Sequence, residues 1–271
     1  MNRHMMQACV LAVAACFASG VTASAETIDV QFACDTGCNG SPAPGGSTLP
    51  QTGAAVIGAP GDTWNQAISN GGGGATGTNL ALVDTTGAST GVSLTWSAVT
   101  EWNEADASHA FNDTAFNGTP YQNLMGSYLV ADPSDSASLE ITGLTAGGAY
   151  EMYFYSQANQ DTDGRIADFD VNGVNVSTLQ GTCGVTPDCP DTLNTFVLGE
   201  NYTLADVVAD SNGDINVGIT VPGEQTYEGD VNGFQLVGGG SASTPEPGTA
   251  GLMLLALGAG ASLLRRRRQS R

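Results

Sequence analysis

From residue 26 to about residue 237 the chain alternates short stretches of β-branched or aromatic residues with clusters of Gly, Asn, Asp, Ser and Pro. That is the pattern of many short strands, and no stretch sustains a long helical period. The spacing predicts strands over residues 27–32, 92–98, 138–142, 150–156, 166–171, 195–198, 214–221 and 234–237. In Ala149-Tyr150-Glu151-Met152-Tyr153-Phe154-Tyr155, the residues Tyr150, Met152 and Phe154 share one strand face, which predicts a core side. Asn172-Gly173 lies between two apolar runs and predicts a tight hairpin, because both residues tolerate positive φ. One short helix is expected over 120–125, with Thr119 as cap, Pro120 in its first position and Gly126 as its stop. The expected fold is all-β, a single jelly-roll-type β-sandwich over residues 26–237.

The two ends follow different rules. Residues 1–25 have the order of a signal peptide: Arg3, an apolar run from Ala8 to Val21, and small residues Ala23 and Ala25 before Glu26. Signal peptidase is therefore expected to cut between Ala25 and Glu26. A competing exported form exists, since Val13-Ala14-Ala15-Cys16 resembles a lipobox with Cys16 acylated; it ranks second because the apolar stretch before it is short. At the other end a Gly/Ser tether (238–244) precedes Pro245-Glu246-Pro247, an apolar run from Gly248 to Leu264, and Arg265, Arg266, Arg267 and Arg268. As a helix the 17-residue run 248–264 measures about 25 Å, near the lower limit for a single transmembrane helix. The arginines are expected to hold its end in the cytoplasm, leaving the body outside the inner membrane.

Charge sharpens this division. There are 27 Asp and Glu against 7 Lys and Arg, a formal −20. Six of the seven bases are at the extreme ends, so between Glu26 and Glu246 the only cation is Arg165, a formal −26. Such a body has no stripe of cations for a phosphate backbone, which excludes a nucleic-acid partner. With 41% hydrophobic residues it still carries enough apolar material for a core.

The C-terminal order of Pro245-Glu246-Pro247, apolar helix and arginine cluster resembles the PEP-CTERM sorting signal of Gram-negative and related bacteria. The resemblance covers residues 245–271. It implies recognition by an exosortase, cleavage near Pro245 to Pro247, and release or attachment at the cell surface, in organisms that make exopolysaccharide. The unprocessed alternative is a plain membrane anchor. In the body, Ile141-Thr142-Gly143-Leu144, the Tyr-rich strand, Asp163-Gly164-Arg165 and Phe169-Asp170-Val171-Asn172-Gly173 resemble galactose-binding-like sandwiches of the malectin-like kind. Asp230-Val231-Asn232-Gly233-Phe234-Gln235-Leu236 looks like their closing strand. This resemblance implies the fold, and fold alone does not assign a ligand.

Candidate chemistry is sparse. Four cysteines remain once the signal is removed, and an even count in an exported chain favours disulfides; Cys34 with Cys38 and Cys183 with Cys189 are the expected pairs, because each brackets a turn rich in Gly, Pro or Asp. A zinc site from all four is the alternative, although neither spacing is that of a zinc ribbon. Asp210, Asn212 and Asp214 place oxygens at alternating positions, like the first half of a calcium loop; the second half is missing, since Ile215 and Val221 stand where Gly and Glu are wanted, and a plain polar turn is the competing reading. Asp161, Asp163 and Asp168 form a second acidic group, with Arg165 expected to pair locally.

For catalysis, His109 is the one histidine outside the signal, and no spacing picks a catalytic pair from the carboxylates, so no catalytic residue is assigned. Among aromatics, Trp96 is expected in the core, and Trp102, after a turn-like Val99-Thr100-Glu101, is the candidate exposed platform for a sugar ring. The sequence thus predicts an exported surface or matrix protein, noncatalytic, with extracellular polysaccharide as the favoured partner. A purely structural role and a glycan-active enzyme are the alternatives.

Overall fold

The computed structural model describes residues 26–34, 50–69, 74–103, 115–158, 165–180, 193–222 and 228–238. In chain order the strands are β1 (Glu26–Cys34), β2 (Trp64–Ser69), β3 (Ala75–Val83), β4 (Ser89–Ala98), β5 (Thr100–Asn103), β6 (Ser127–Ala131), β7 (Ala137–Thr142), β8 (Ala149–Tyr155), β9 (Arg165–Val171), β10 (Val174–Gln180), β11 (Tyr202–Val208), β12 (Ile215–Thr220), β13 (Gly229–Val231) and β14 (Gly233–Gly238), with one short helix α1 (Gln122–Met125). One sheet has the order β11-β8-β14-β1-β2, a second β10-β9-β12-β7-β4-β3, and a small third β13-β6-β5. The all-β sandwich expected from the sequence is the fold observed.

Period-two alternation builds the core. Ile28, Val30 and Phe32 of β1, Met152 and Phe154 of β8, and Phe234 and Leu236 of β14 are all at most 2% exposed and join one cluster with Leu94, Leu139, Ile141, Phe169 and Val217 of the facing sheet. Phe154 and Phe169 meet across the sandwich, ring centroids 4.5 Å apart and 19° between planes. Trp96 is buried as expected, its indole N–H donating to Ser69 Oγ at 3.0 Å. Where the sheets meet at one edge, Asn65 of β2 donates to the Asp29 and Val83 carbonyls and accepts from Val83 N.

Three local expectations change. Residues 195–198 form no strand: Asn201 accepts from Val197 N and donates to Thr195 O, folding the segment into a loop that delivers Phe196 to an aromatic cluster. The apolar residues there serve as cover rather than as a sheet. The helix begins later than predicted, at Gln122 with Tyr121 in the cap position and no side-chain cap bond. Thr119 instead donates to Phe116 O at 2.7 Å and accepts from Tyr121 N at 3.2 Å, holding the turn before it. Gly126 follows the last helical residue, as expected. Strand β14 runs on through Gly238, into the first residue assigned to the tether.

The Asn172-Gly173 hairpin forms as predicted, with φ of 49° and 88° and Val171 paired to Val174. Asn172 also ties neighbouring turns together: its Nδ2 donates to Val208 O and Asp214 O, both at 3.1 Å, and its Oδ1 accepts from Asn216 N at 2.9 Å. Asn172→Ala should therefore cost about 1–2 kcal/mol in chemical denaturation, combining lost hydrogen bonds with strain at positive φ. A cost within about 0.5 kcal/mol of zero would show that the side-chain bonds contribute nothing.

Strand direction divides the sandwich into two poles. Glu26 pairs with Gly238, so both chain ends leave at one pole, which also carries the turns at 84–88, 143–148, 172–173 and 209–214. The connections spanning 35–49, 104–114, 159–164, 181–192 and 223–227 all start from strand ends at the opposite pole.

The predicted signal peptide, the tail with its helix 248–264, and Cys38, Cys183 and Cys189 lie outside the described residues, while Cys34 is the last residue of β1. Among the described residues no helix is long and apolar enough to cross a membrane.

Candidate functional site

The outer face of the five-stranded sheet carries polar and aromatic side chains instead of the usual solvated ones. Alternation on β1 turns Thr27, Asp29 and Gln31 away from the core. Register aligns Glu151, Val237 and Thr27 in one row and Tyr153, Gln235 and Asp29 in the next. Most of this face is roofed. Trp64, Phe116, Leu124, Met125 and Tyr155 form a second buried cluster, packed by Val56, Tyr121, Tyr153, Phe196 and Tyr202.

Hydrogen bonds fasten the roof to the sheet. Tyr155 Oη donates to Gln235 Oε1 and accepts from Val56 N at 3.1 Å. Gln235 Nε2 donates to Asp29 Oδ1 at 3.0 Å. Further along the face, Gln51 N donates to Gln31 Oε1 at 2.7 Å, and Gln31 Nε2 to Asn123 O at 2.8 Å. Trp64 Nε1 donates to Gly53 O at 2.8 Å.

Where the roof ends, toward the pole of the chain ends, a cleft of about 410 Å³ opens. Its floor is Thr27, Val237, Glu151 and Tyr153, and its walls are residues 57–59, Asp62 and Thr85. Tyr153 Oη donates to Glu151 Oε2 at 3.1 Å, and burial together with that carboxylate raises the phenol pKa. Asp62 Oδ2 accepts from Ala59 N at 2.6 Å. Gly58 sits at φ +105°, where a Cβ would collide with the Asp62 carboxylate, so glycine lets the backbone close around that acid. The Thr85 amide donates to Thr27 O at 3.0 Å, fixing the far wall to β1.

Beside this lining, in the row of Tyr153 and Gln235, lies Asp29, 0% exposed. Burial pushes its carboxyl up to about 7; Gln235 partly offsets the rise and the charge of Asp62 adds to it. Its second oxygen, Oδ2, has no hydrogen-bond partner. The cleft thus presents a half-buried phenol ring, two carboxylates and two hydroxyls, with no cation in its lining. Such a surface offers one apolar platform ringed by hydrogen-bond acceptors.

The residues singled out by sequence lie elsewhere. Trp102 departs from its expected exposure: it is half-buried within β5, paired with Tyr128 and packed on Tyr128, Val130 and Ala158. Among the described residues, the partners of Arg165 are distant in sequence. Its Nη1 meets Glu228 Oε2 at 3.1 Å and the fully buried Asp230 Oδ2 at 3.2 Å, at the pole away from the cleft. Burial opposes that charge, and Asp230, Tyr128 and Glu228 more than offset it, so the guanidinium is held above its ordinary range.

Asp210 Oδ1 accepts from Asn212 N at 2.7 Å and Asp214 N at 2.9 Å, bonds that lower its pKa and close a polar turn. Among the described residues no three His, Cys, Asp or Glu side chains converge as metal ligands. Glu101, 6% exposed on β5, is raised to about 7 by burial, partly offset by Ser69. Glu104, Asp106, His109 and Asp113 lie outside the described residues, as do Asp161 and Asp163.

Sequence reasoning missed the cleft because its lining comes from separate segments joined only by cross-strand register. One signal was legible: Thr27, Asp29 and Gln31 alternate with Ile28, Val30 and Phe32, marking a polar strand face, but nothing in the sequence shows that face to be covered.

Residues 243–268 match the PEP-CTERM protein-sorting motif. No curated protein matches the chain. Among solved structures, the chain is similar to a CBM35 from Cellvibrio japonicus Abf62 at 18% identity, over 47% of this chain and 79% of that one, with a TM-score of 0.30. A family 35 carbohydrate binding module from Clostridium thermocellum aligns at 12% identity over 52% of this chain and 99% of its own, TM-score 0.29. The ANX2 ectodomain from Arabidopsis thaliana aligns at 12% identity over 51% of this chain, which spans 39% of that ectodomain, TM-score 0.33.

Proposed function

We propose that this chain, carrying a PEP-CTERM sorting motif, is an exported surface or matrix protein whose sandwich binds carbohydrate without catalysis. The observation that carries the reading is the cleft itself, a phenol ring among oxygen acceptors at the open end of a sheet face that is mostly roofed. A pyranose stacks an apolar face on an aromatic ring and offers hydroxyls to carboxylates.

The sorting motif implies exosortase-dependent export. Signal peptidase cutting after Ala25 and exosortase cutting near Pro245 to Pro247 both act at the pole where Glu26 pairs with Gly238. Between that pole and the apolar run 248–264, placed in the inner membrane before processing on this reading, lie nine residues, a reach of at most about 30 Å. The long-connection pole then stands away from the bilayer.

Hydrolysis through two carboxyls needs one held protonated and open to the leaving group. Asp29 is the cleft-side carboxyl raised to about 7, and it is sealed from any substrate atom. The carboxylates that do line the cleft already accept from Tyr153 and from the Ala59 amide, which suits positioning rather than proton transfer.

A glycan array probed with the full-length chain, in a detergent lacking a sugar headgroup, tests the reading. Binding should fall about tenfold or more in Tyr153→Ala and return in Tyr153→Phe, which keeps the ring. Absence of binding to every glycan class, or binding indifferent to Tyr153, would overturn it.

A further inference from the structure

We infer that the cleft takes a glycan bearing free amino groups, such as a polymer of 2-amino-2-deoxyhexose, in preference to neutral or uronic-acid chains. The inference rests on the carbohydrate reading of the same cleft and adds the charge of the ligand. Asp62 and Glu151 both line the cleft, and Tyr153, also in the lining, donates to Glu151. Asp29 lies on the same sheet face, in the row of Tyr153 and Gln235, 0% exposed, with Oδ2 unpartnered and its carboxyl under the influence of Asp62. Asp84, in the turn that supplies Thr85, adds a further carboxylate nearby.

Charge of one sign is thus concentrated around a concave site, and no cation stands among the described residues of its lining to balance it. The body's single cation, Arg165, is at the opposite pole and already paired with Glu228 and Asp230. A uronate chain would be repelled at close range. A neutral sugar would leave the carboxylates as they are. An ammonium group on the pyranose supplies the missing charge, donates to Asp62 or Glu151, and lowers the cost of ionising the neighbouring Asp29. The cleft volume lies within the ~300–1,000 Å³ range of small-ligand sites, enough for a short oligosaccharide segment.

The test is titration calorimetry of the full-length chain with three probes: a glucosamine tetrasaccharide, its fully N-acetylated counterpart and a galacturonate tetrasaccharide. The expected result is about tenfold or greater preference for the amine, shrinking as salt is raised and disappearing in Asp62→Asn combined with Glu151→Gln. Both substitutions keep shape and an acceptor oxygen, and a matched melting temperature confirms folding.

A Tyr153-dependent interaction with equal or tighter affinity for the acetylated probe would overturn the amine preference and leave the carbohydrate reading standing. No binding of any probe would overturn the amine preference, while the carbohydrate reading stands or falls with the glycan array. Equal loss from Glu140→Gln combined with Asp170→Asn, on the far sheet, would show diffuse attraction to an acidic surface and also overturn the proposal.

Discussion

Phe154→Ala is expected to destabilise the sandwich by about 3–5 kcal/mol, a drop in melting temperature of roughly 10 °C or more. Phe154 is 0% exposed and stacks on Phe169 from the facing sheet, so truncation opens a cavity at the centre of the main core. The same strand presents Glu151 and Tyr153 on its other face, which links core packing to the floor of the cleft. Ser177→Ala, on the exposed side of β10, serves as the control and should change stability by less than about 0.5 kcal/mol. Denaturant melts of the two variants check the pair, and a cost below about 1 kcal/mol for Phe154→Ala would contradict the assigned packing.

The second large effect is in pH. Asp29 and Glu101 both titrate near 7 in the folded chain because burial penalises their charged forms. In the unfolded chain such groups titrate near 4. Between about pH 4 and pH 7 the folded state therefore binds more protons than the unfolded state, and stability falls as pH rises through that window, levelling off above 7. The groups facing Asp29 do not reverse this sign: Gln235 is neutral, Asp62 adds to the rise, and the Tyr155 phenol is held above its ordinary value by burial.

Asp84, Asp132 and Asp210 act oppositely in acid. Thr86 holds Asp84 low, the amide and hydroxyl of Ser134 hold Asp132 low, and the Asp214 and Asn212 amides hold Asp210 low. Their stabilisation is present above the unfolded pKa and is lost as pH falls through the folded one. A stability maximum near pH 4–5 is the expected outcome. Asp29→Asn with Glu101→Gln should flatten the decline toward pH 8, recovering on the order of a few kcal/mol there. A double variant that declines as steeply as the parent would contradict the assignment.

Much of the architecture was legible in local chemistry. The alternation on β8 and the Asn172-Gly173 turn act over a few residues, and both formed as the pattern required. Longer-range relations were not legible. Residues 195–198 have strand-like composition, yet Asn201 folds them into a loop that roofs the sheet. Arg165 has acids beside it in sequence, but the packing of β13 near β9 also brings it Glu228 and Asp230, more than sixty residues away. Trp102 follows a segment that reads as a turn; pairing with Tyr128 makes it a strand residue. The cleft draws on β1, β8, β14, the segment before β2 and the turn before β4, a conjunction fixed by register that no spacing encodes.

The direct measurement is hydroxyl-radical footprinting of the full-length chain, with and without a saturating oligosaccharide drawn from the array. Protection of Tyr153 while Trp102 reacts at its unliganded rate is the predicted result. Protection of Trp102 with Tyr153 unchanged would place the ligand at the other pole and contradict the account.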